Sequence, residues 1–186
     1  MKKIFLGMIL LLGYSVVAFA QEIPEGVRYK RTSDEINKKA TAMLERAFSA
    51  DATLADKRPI FANGAIMIGP FLWEVVKTPD VFKGATPVSL IVNGKVAQGR
   101  GIRDAAQQQV LWDRVLKRTS SMGAVKIRKP QASEISFFWA MIPFDIEEPL
   151  LIADFGAERY IFNFVLKDGK PNIMWIDIVG DLKTLK

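Results

Sequence analysis

The alternation of apolar and polar positions divides this chain into two amphipathic helices and a C-terminal series of strands. Ser33 is a typical helix N-cap, and Asp34 and Glu35 after it place negative charge where a helix N-terminus favours it. Apolar residues then recur at helical spacing and predict a helix over 34–49: Ile36, Ala40, Met43, Leu44, Ala47 and Phe48. A second amphipathic helix is predicted over residues 103–118.

Extended segments occupy most of the remaining chain. Strands are predicted at about 124–129, 134–142, 158–167 and 172–179. In 134–142 and 158–167, large apolar side chains recur at every second position and so share one face. Asn93-Gly94 between 88–92 and 95–98 predicts a tight hairpin, and residues 167–171 predict another. The apolar stretch 60–77 is interpreted as two short extended pieces, and 143–157 as a longer excursion that interrupts the strands.

This order of elements predicts the α+β fold class. The N-terminal helix and the second helix should pack on a curved, mainly antiparallel sheet that ends in a strand meander. We expect three segments along the chain: a signal peptide over 1–20, a flexible lead-in over 21–32 and a single α+β domain over 33–186.

The first twenty residues have the pattern of a secretory signal peptide. Lys2 and Lys3 precede an apolar run that closes on small residues, which predicts cleavage after Ala20. We therefore expect a periplasmic or secreted protein that does not span the membrane once the signal is cleaved. An uncleaved anchor is the alternative.

The amino-acid composition excludes several kinds of catalytic and metal site. The chain of 186 residues contains no Cys and no His, which excludes thiol nucleophiles, imidazole bases, Ser-His-Asp triads and ordinary zinc sites. Removing residues 1–20 takes Lys2 and Lys3 from a net charge of +6 and leaves a mildly basic domain of +4. We therefore predict no catalytic residue, no cofactor, no metal site and no nucleic-acid partner.

The second helix carries two polar residues inside its broad apolar arc. Gln109 and Asp113 are four apart and can meet, and a carboxylate on a core-facing stripe either lines a cavity or needs a buried partner. The first hypothesis gives Asp113 a polar contact, or a raised pKa, at the bottom of an aromatic pocket. The alternative is a hydrogen-bonded pair near the helix rim. The predicted ligand site is Gln109, Trp112, Asp113, Trp139 and Tyr160.

Basic residues cluster after that helix. Six cations could hold phosphate or lipid headgroups: Arg114, Lys117, Arg118, Lys126, Arg128 and Lys129. The alternative is a solvated helix end, where cations favour the negative pole of the helix dipole. Acidic residues cluster in turn at Asp145, Glu147, Glu148, Asp154 and Glu158, without the spacing of a calcium loop.

The element order over about 33–180 and the closing hairpin FVLKDGKPNIMWIDIVG resemble the α+β roll of the nuclear-transport-factor-two-like superfamily. The resemblance implies a curved sheet that wraps a helix around a conical, mainly apolar pocket. The superfamily includes enzymes, small-ligand carriers, secretion-channel components and interaction modules, so the roll alone implies no activity. A cystatin-like sheet or a different α+β sheet are the alternatives.

Together these patterns favour an exported, non-catalytic binding module for an apolar or amphipathic ligand or for an envelope protein partner. Two alternatives stay open. One is a roll-type enzyme that uses carboxylate acid–base chemistry, with Asp113 and Tyr160 in a semi-buried pocket. The other is a periplasmic inhibitor or immunity-type protein whose acidic excursion over 143–158 binds and blocks a partner protein.

Overall fold

The computed structural model describes residues 27–53, 55–58, 66–77, 82–92, 95–142 and 145–184. The expected signal peptide, residues 21–26 of the lead-in and the Asn93-Gly94 turn lie outside these residues. The helices are α1 (Asp34–Phe48), α2 (Pro70–Val76), α3 (Ala105–Thr119) and α4 (Ala132–Trp139), followed by a 3-10 turn at Leu182–Thr184. The strands are β1 (Tyr29–Lys30), β2 (Ile66–Ile68), β3 (Thr86–Val92), β4 (Lys95–Ile102), β5 (Lys126–Arg128), β6 (Ile146–Glu147), β7 (Leu150–Asp154), β8 (Arg159–Lys167) and β9 (Lys170–Ile178).

Seven strands form one sheet in the order β3-β4-β2-β9-β8-β7-β5, and β1 and β6 form a separate parallel pair. Within the larger sheet β2 and β9 pair in parallel, and the other neighbours pair antiparallel. The predicted α+β class, with helices on a mainly antiparallel sheet and a C-terminal meander, is confirmed. No helix in the described ranges is long and apolar enough to cross a membrane.

The sheet buries apolar side chains on both faces. Tyr160 and Phe162 of β8 point to the face covered by α1 and α3, while Ile161 between them points to the face covered by α4. In β9 an extra residue, Met174, lies between the partners of Asn163 and Phe164 and shifts the register. Both faces of the central strands are therefore core, which explains their nearly continuous apolar sequence.

Helix α1 begins where the sequence predicts it. The Ser33 hydroxyl accepts a hydrogen bond from the Ile36 amide, and the helix extends to Phe48. Helix α3 is capped by Asp104, whose side chain accepts from the Gln107 amide at 2.8 Å. Both predicted helices are thus confirmed to within two residues, because each combines an N-cap with an apolar stripe.

The predicted strand over 134–142 is wrong, because residues 132–139 form helix α4. Gln131 and Glu134 form a capping box at its start, and the Gln131 amide donates to a Glu134 carboxylate oxygen at 2.7 Å. Ile135, Phe137 and Phe138 are all buried. A short apolar run of this kind has no periodicity that separates a strand from a buried helix.

The stretch 60–77, interpreted from the sequence as two extended pieces, also differs from its prediction. Its described part contains strand β2, but Pro70 then begins helix α2. Proline suits the first turn of a helix because the missing amide would have no partner there.

The two predicted hairpins are confirmed as β3–β4 and β8–β9, and the second turns through positive φ angles at Asp168 and Gly169.

Candidate functional site

The predicted ligand residues do not meet at one site. Trp112 and Tyr160 are fully buried in the core between the sheet and helices α1 and α3, and Trp139 is half-buried on α4 against the opposite face. The Gln109 amide donates to Asp113 at 2.8 Å, and Asp113 is exposed. Of the two hypotheses for Asp113, the structure agrees with the hydrogen-bonded pair with Gln109, and the inward orientation is wrong.

The orientation of α3 explains this difference. The side of α3 that faces the core carries Gln108, Leu111, Trp112, Val115 and Thr119. Successive residues of a helix are separated by about 100°, so position 113 turns away from the side centred on Trp112 and Val115. The apolar arc counted in the sequence is wider than the stripe that the core covers.

The predicted anion-binding residues divide into two groups. Arg114 donates to the Val76 carbonyl at 2.8 Å, and Arg118 and Arg128 are engaged with acidic side chains. The three lysines are exposed: Lys117, Lys126 and Lys129. The arginines thus hold parts of the chain together, and the six cations do not converge on one anion.

A buried carboxylate, Glu134, organises the strongest of these contacts. Arg128 binds it through two hydrogen bonds of 2.7 and 2.8 Å, and Arg159 donates a third at 2.8 Å. Arg128 also contacts Asp154 at 3.0 Å. Burial on its own would raise the pKa of Glu134, but the hydrogen bonds from Arg128 and from the Gln131 amide outweigh burial and lower this pKa.

A second buried carboxylate fixes the start of helix α2. Asp177 on β9 is fully buried, and its Oδ1 accepts from the Leu72 amide at 2.7 Å and from the Ile178 amide at 2.8 Å. Burial raises the pKa of Asp177 to about 8, although the amides of Leu72, Ile178 and Phe71 act in the opposite direction. Gly69, the N-cap residue, has no side chain to cap the helix, so Asp177 supplies the acceptor from the sheet.

Two neighbouring cavities open between α2 and β4. The first, of about 580 Å³, has apolar walls of Pro70, Phe71, Val75 and Ala97. The second, of about 630 Å³, has an aromatic wall of Trp73 and Phe82, whose ring centroids are 5.7 Å apart. Both are lined by Glu74 and Gln98, which places them side by side, and we refer to the pair as the α2–β4 cleft.

Polar groups lie among these apolar walls. Arg100 of β4 lines the second cavity with its guanidinium 4.9 Å from the centre of the Trp73 ring. Lys77 also lines it and contacts Glu74 at 2.6 Å. Apolar walls with a few converging polar groups, in volumes between about 300 and 1,000 Å³, are typical of small-molecule sites.

This cleft was not predicted from the sequence, because the residues of α2 were interpreted as extended structure. The signal was present in Gly69-Pro70 followed by apolar residues at positions 71, 72, 75 and 76, the spacing of a helix face. In the described part of the chain, no cluster of three or more acidic side chains is placed to hold a metal ion.

Comparisons with protein-family models, with curated proteins and with solved structures found no match for this chain. No relative therefore supplies a role for any residue of this chain. Among the described residues, the α2–β4 cleft combines two large cavities with apolar walls and accessible polar groups.

Proposed function

We propose that this protein is an exported, non-catalytic binding module that holds an apolar or amphipathic ligand in the α2–β4 cleft. The observation that carries the proposal is the cleft itself, two adjoining cavities of about 580 and 630 Å³ with aromatic and aliphatic walls. Val75 keeps 45% of its surface exposed beside the first cavity, so apolar surface is available to a ligand.

Export rests on the N-terminal sequence. The basic residues Lys2 and Lys3, the apolar run after them and the small residues that end at Ala20 support cleavage before Gln21 and a periplasmic or secreted location. N-terminal sequencing of the protein recovered after expression of the whole chain tests this. A protein that retains Met1 in the membrane fraction would show an anchor instead.

A binding role is favoured over catalysis by the state of the acidic groups. Two of the buried carboxylates, Glu134 and Asp177, are held by neighbouring groups of the fold. Asp113, the residue of the enzyme hypothesis, is exposed on α3 and hydrogen-bonded to Gln109. The chain also contains no His or Cys, the side chains that most often act as bases and nucleophiles near neutral pH.

The inhibitor hypothesis needs acidic side chains over 143–158 that are available to a partner. In the structure, three of these side chains contact other residues of the same chain. Glu148 accepts from Tyr29 and Asn37, Asp154 contacts Arg128, and Glu158 contacts Arg118. We therefore rank this hypothesis below ligand binding. The roll resemblance stays a prediction and carries no part of the proposal.

Fluorescence titration with N-phenyl-1-naphthylamine, an uncharged apolar probe, tests the proposal. Val75→Glu places a charge beside the first cavity and should weaken probe binding at least about tenfold, which corresponds to about 1.4 kcal/mol. Leu166→Glu is the matched control, because Leu166 is 43% exposed on β8 and lines neither cavity. Thermal melts of both variants should show that the fold is retained.

Two results would contradict the proposal. If the unmodified protein does not bind the probe, the α2–β4 cleft is not a site for apolar ligands. Equal weakening by Val75→Glu and Leu166→Glu would show that the probe binds exposed apolar surface in general. If the unmodified protein does not bind the probe but binds an envelope protein, and Val75→Glu abolishes that binding, the same face is assigned to a protein partner.

A further inference from the structure

Three contacts position the Arg100 side chain at the wall of the α2–β4 cleft. Its guanidinium lies over the Trp73 ring, and its Nη1 donates to the Gly99 carbonyl at 2.8 Å and to the Gln98 side-chain oxygen at 3.3 Å. Gln98 is positioned in turn, because its amide nitrogen donates to the Ser89 hydroxyl at 3.3 Å. The guanidinium is thus oriented before any ligand arrives.

The remaining donors of Arg100 are unused within the described part of the chain. A guanidinium carries five N–H donors, and the two described hydrogen bonds both start from Nη1. The edge formed by Nε and Nη2 has no acceptor among the described residues, and Arg100 forms no ion pair with a described carboxylate. Two parallel donors at such an edge match the two oxygens of a carboxylate.

The other charges at the second cavity cancel. Lys77 is paired with Glu74 at 2.6 Å, which leaves Arg100 as the one uncompensated charge among the described residues that line this cavity. A single cation matches a monoanion. The Trp73 and Phe82 rings beside it supply an apolar surface for the uncharged body of the same molecule.

From this arrangement we infer that the α2–β4 cleft selects an apolar ligand that carries one carboxylate, which the Nε/Nη2 edge of Arg100 binds in a bidentate manner. The inference rests on the proposed function and specifies its ligand class. The carboxylate lies at Arg100 in the second cavity, and the apolar body extends along the aromatic wall past Glu74 and Gln98 towards Phe71 and Val75.

Competition against N-phenyl-1-naphthylamine with decanoate and with decan-1-ol tests this inference, because the two compounds share an alkyl chain and differ in the charged head. The unmodified protein should bind decanoate at least about tenfold more tightly than decan-1-ol. Arg100→Gln should weaken decanoate about tenfold and change decan-1-ol less than twofold. Arg100→Lys, which keeps the charge but not the planar fork, should give an intermediate decanoate affinity.

Arg103→Gln is the matched control, since Arg103 is exposed just after β4 and lines neither cavity. It should leave both affinities unchanged. If decan-1-ol binds as tightly as decanoate, or if Arg100→Gln weakens both equally, the carboxylate inference is wrong while the proposed function stands. If neither compound displaces bound probe, the carboxylate inference is wrong while the proposed function stands. If the probe itself does not bind the unmodified protein, the proposed function fails.

Discussion

The sharpest stability prediction concerns the buried carboxylate that caps α2. The folded protein raises the pKa of Asp177 to about 8, whereas an aspartate in an unfolded chain has a pKa of about 3.9. Between these two values the folded state holds a proton that the unfolded state has released. Stability is therefore greatest below the unfolded pKa, falls as pH rises towards the folded pKa, and loses nothing further from this group above it.

The magnitude follows from linkage. One proton of difference changes the free energy of unfolding by about 1.4 kcal/mol for each pH unit. Over about four units the loss is on the order of 5 kcal/mol, which is comparable with the whole stability of a small domain. The loss reaches this full value if no water enters the site when the carboxylate ionises. In the structure Oδ2 is fully buried and has no described hydrogen-bond partner.

The variant Asp177→Asn isolates the contribution that ionisation of Asp177 makes to the free energy of unfolding. Asparagine keeps the side-chain oxygen that accepts from the Leu72 and Ile178 amides, and it cannot ionise. Urea unfolding of both proteins at pH 5, 6 and 7 should show the variant gaining on the unmodified protein by about 1.4 kcal/mol per pH unit. The slope is the test, because any constant cost of the new amide cancels from it.

Asp113→Asn is the matched control, since Asp113 is exposed on α3. It should change the free energy of unfolding by less than about 0.5 kcal/mol. A pH-independent difference between Asp177→Asn and the unmodified protein would refute the reasoning. Such a pH-independent difference would show that the amides, and not burial, control the pKa of this carboxylate.

Three further predictions concern the core. Glu134→Gln should cost about 1–3 kcal/mol in urea unfolding, because the new amide group replaces one of the two carboxylate oxygens that accept from Arg128 and Arg159. Since the fold lowers the pKa of Glu134, this contribution should be present above about pH 4.3 and disappear as pH falls through the folded pKa. Gly69→Ala should lower the melting temperature, because the new Cβ would lie 2.0 Å from a carboxylate oxygen of Asp177; an unchanged melting temperature would contradict the tight contact. Phe162→Ala should cost about 3–5 kcal/mol and Leu166→Ala less than about 1 kcal/mol, and equal losses would contradict the burial of Phe162 and the exposure of Leu166.

The sequence on its own determined the elements whose signals are local. Helix α1 follows from the Ser33 cap and a stripe of apolar residues, and the β8–β9 hairpin follows from Asp168-Gly169 between two apolar strands. The α+β class follows from the order of these elements. Capping bonds, helical spacing and turn geometry span only a few residues, so they can be inferred without knowing what packs where.

Tertiary structure decided which surfaces of these elements are buried. The apolar run 132–139 becomes a helix, and Asp113 turns to solvent because the core covers a narrower part of α3 than its apolar arc. Arg100 and Trp73 meet only because β2 pairs with β4 and brings the start of α2 beside that strand. Asp177 caps α2 from 105 positions away along the chain. Contacts of this kind depend on strand order and register, which no local pattern in the sequence encodes.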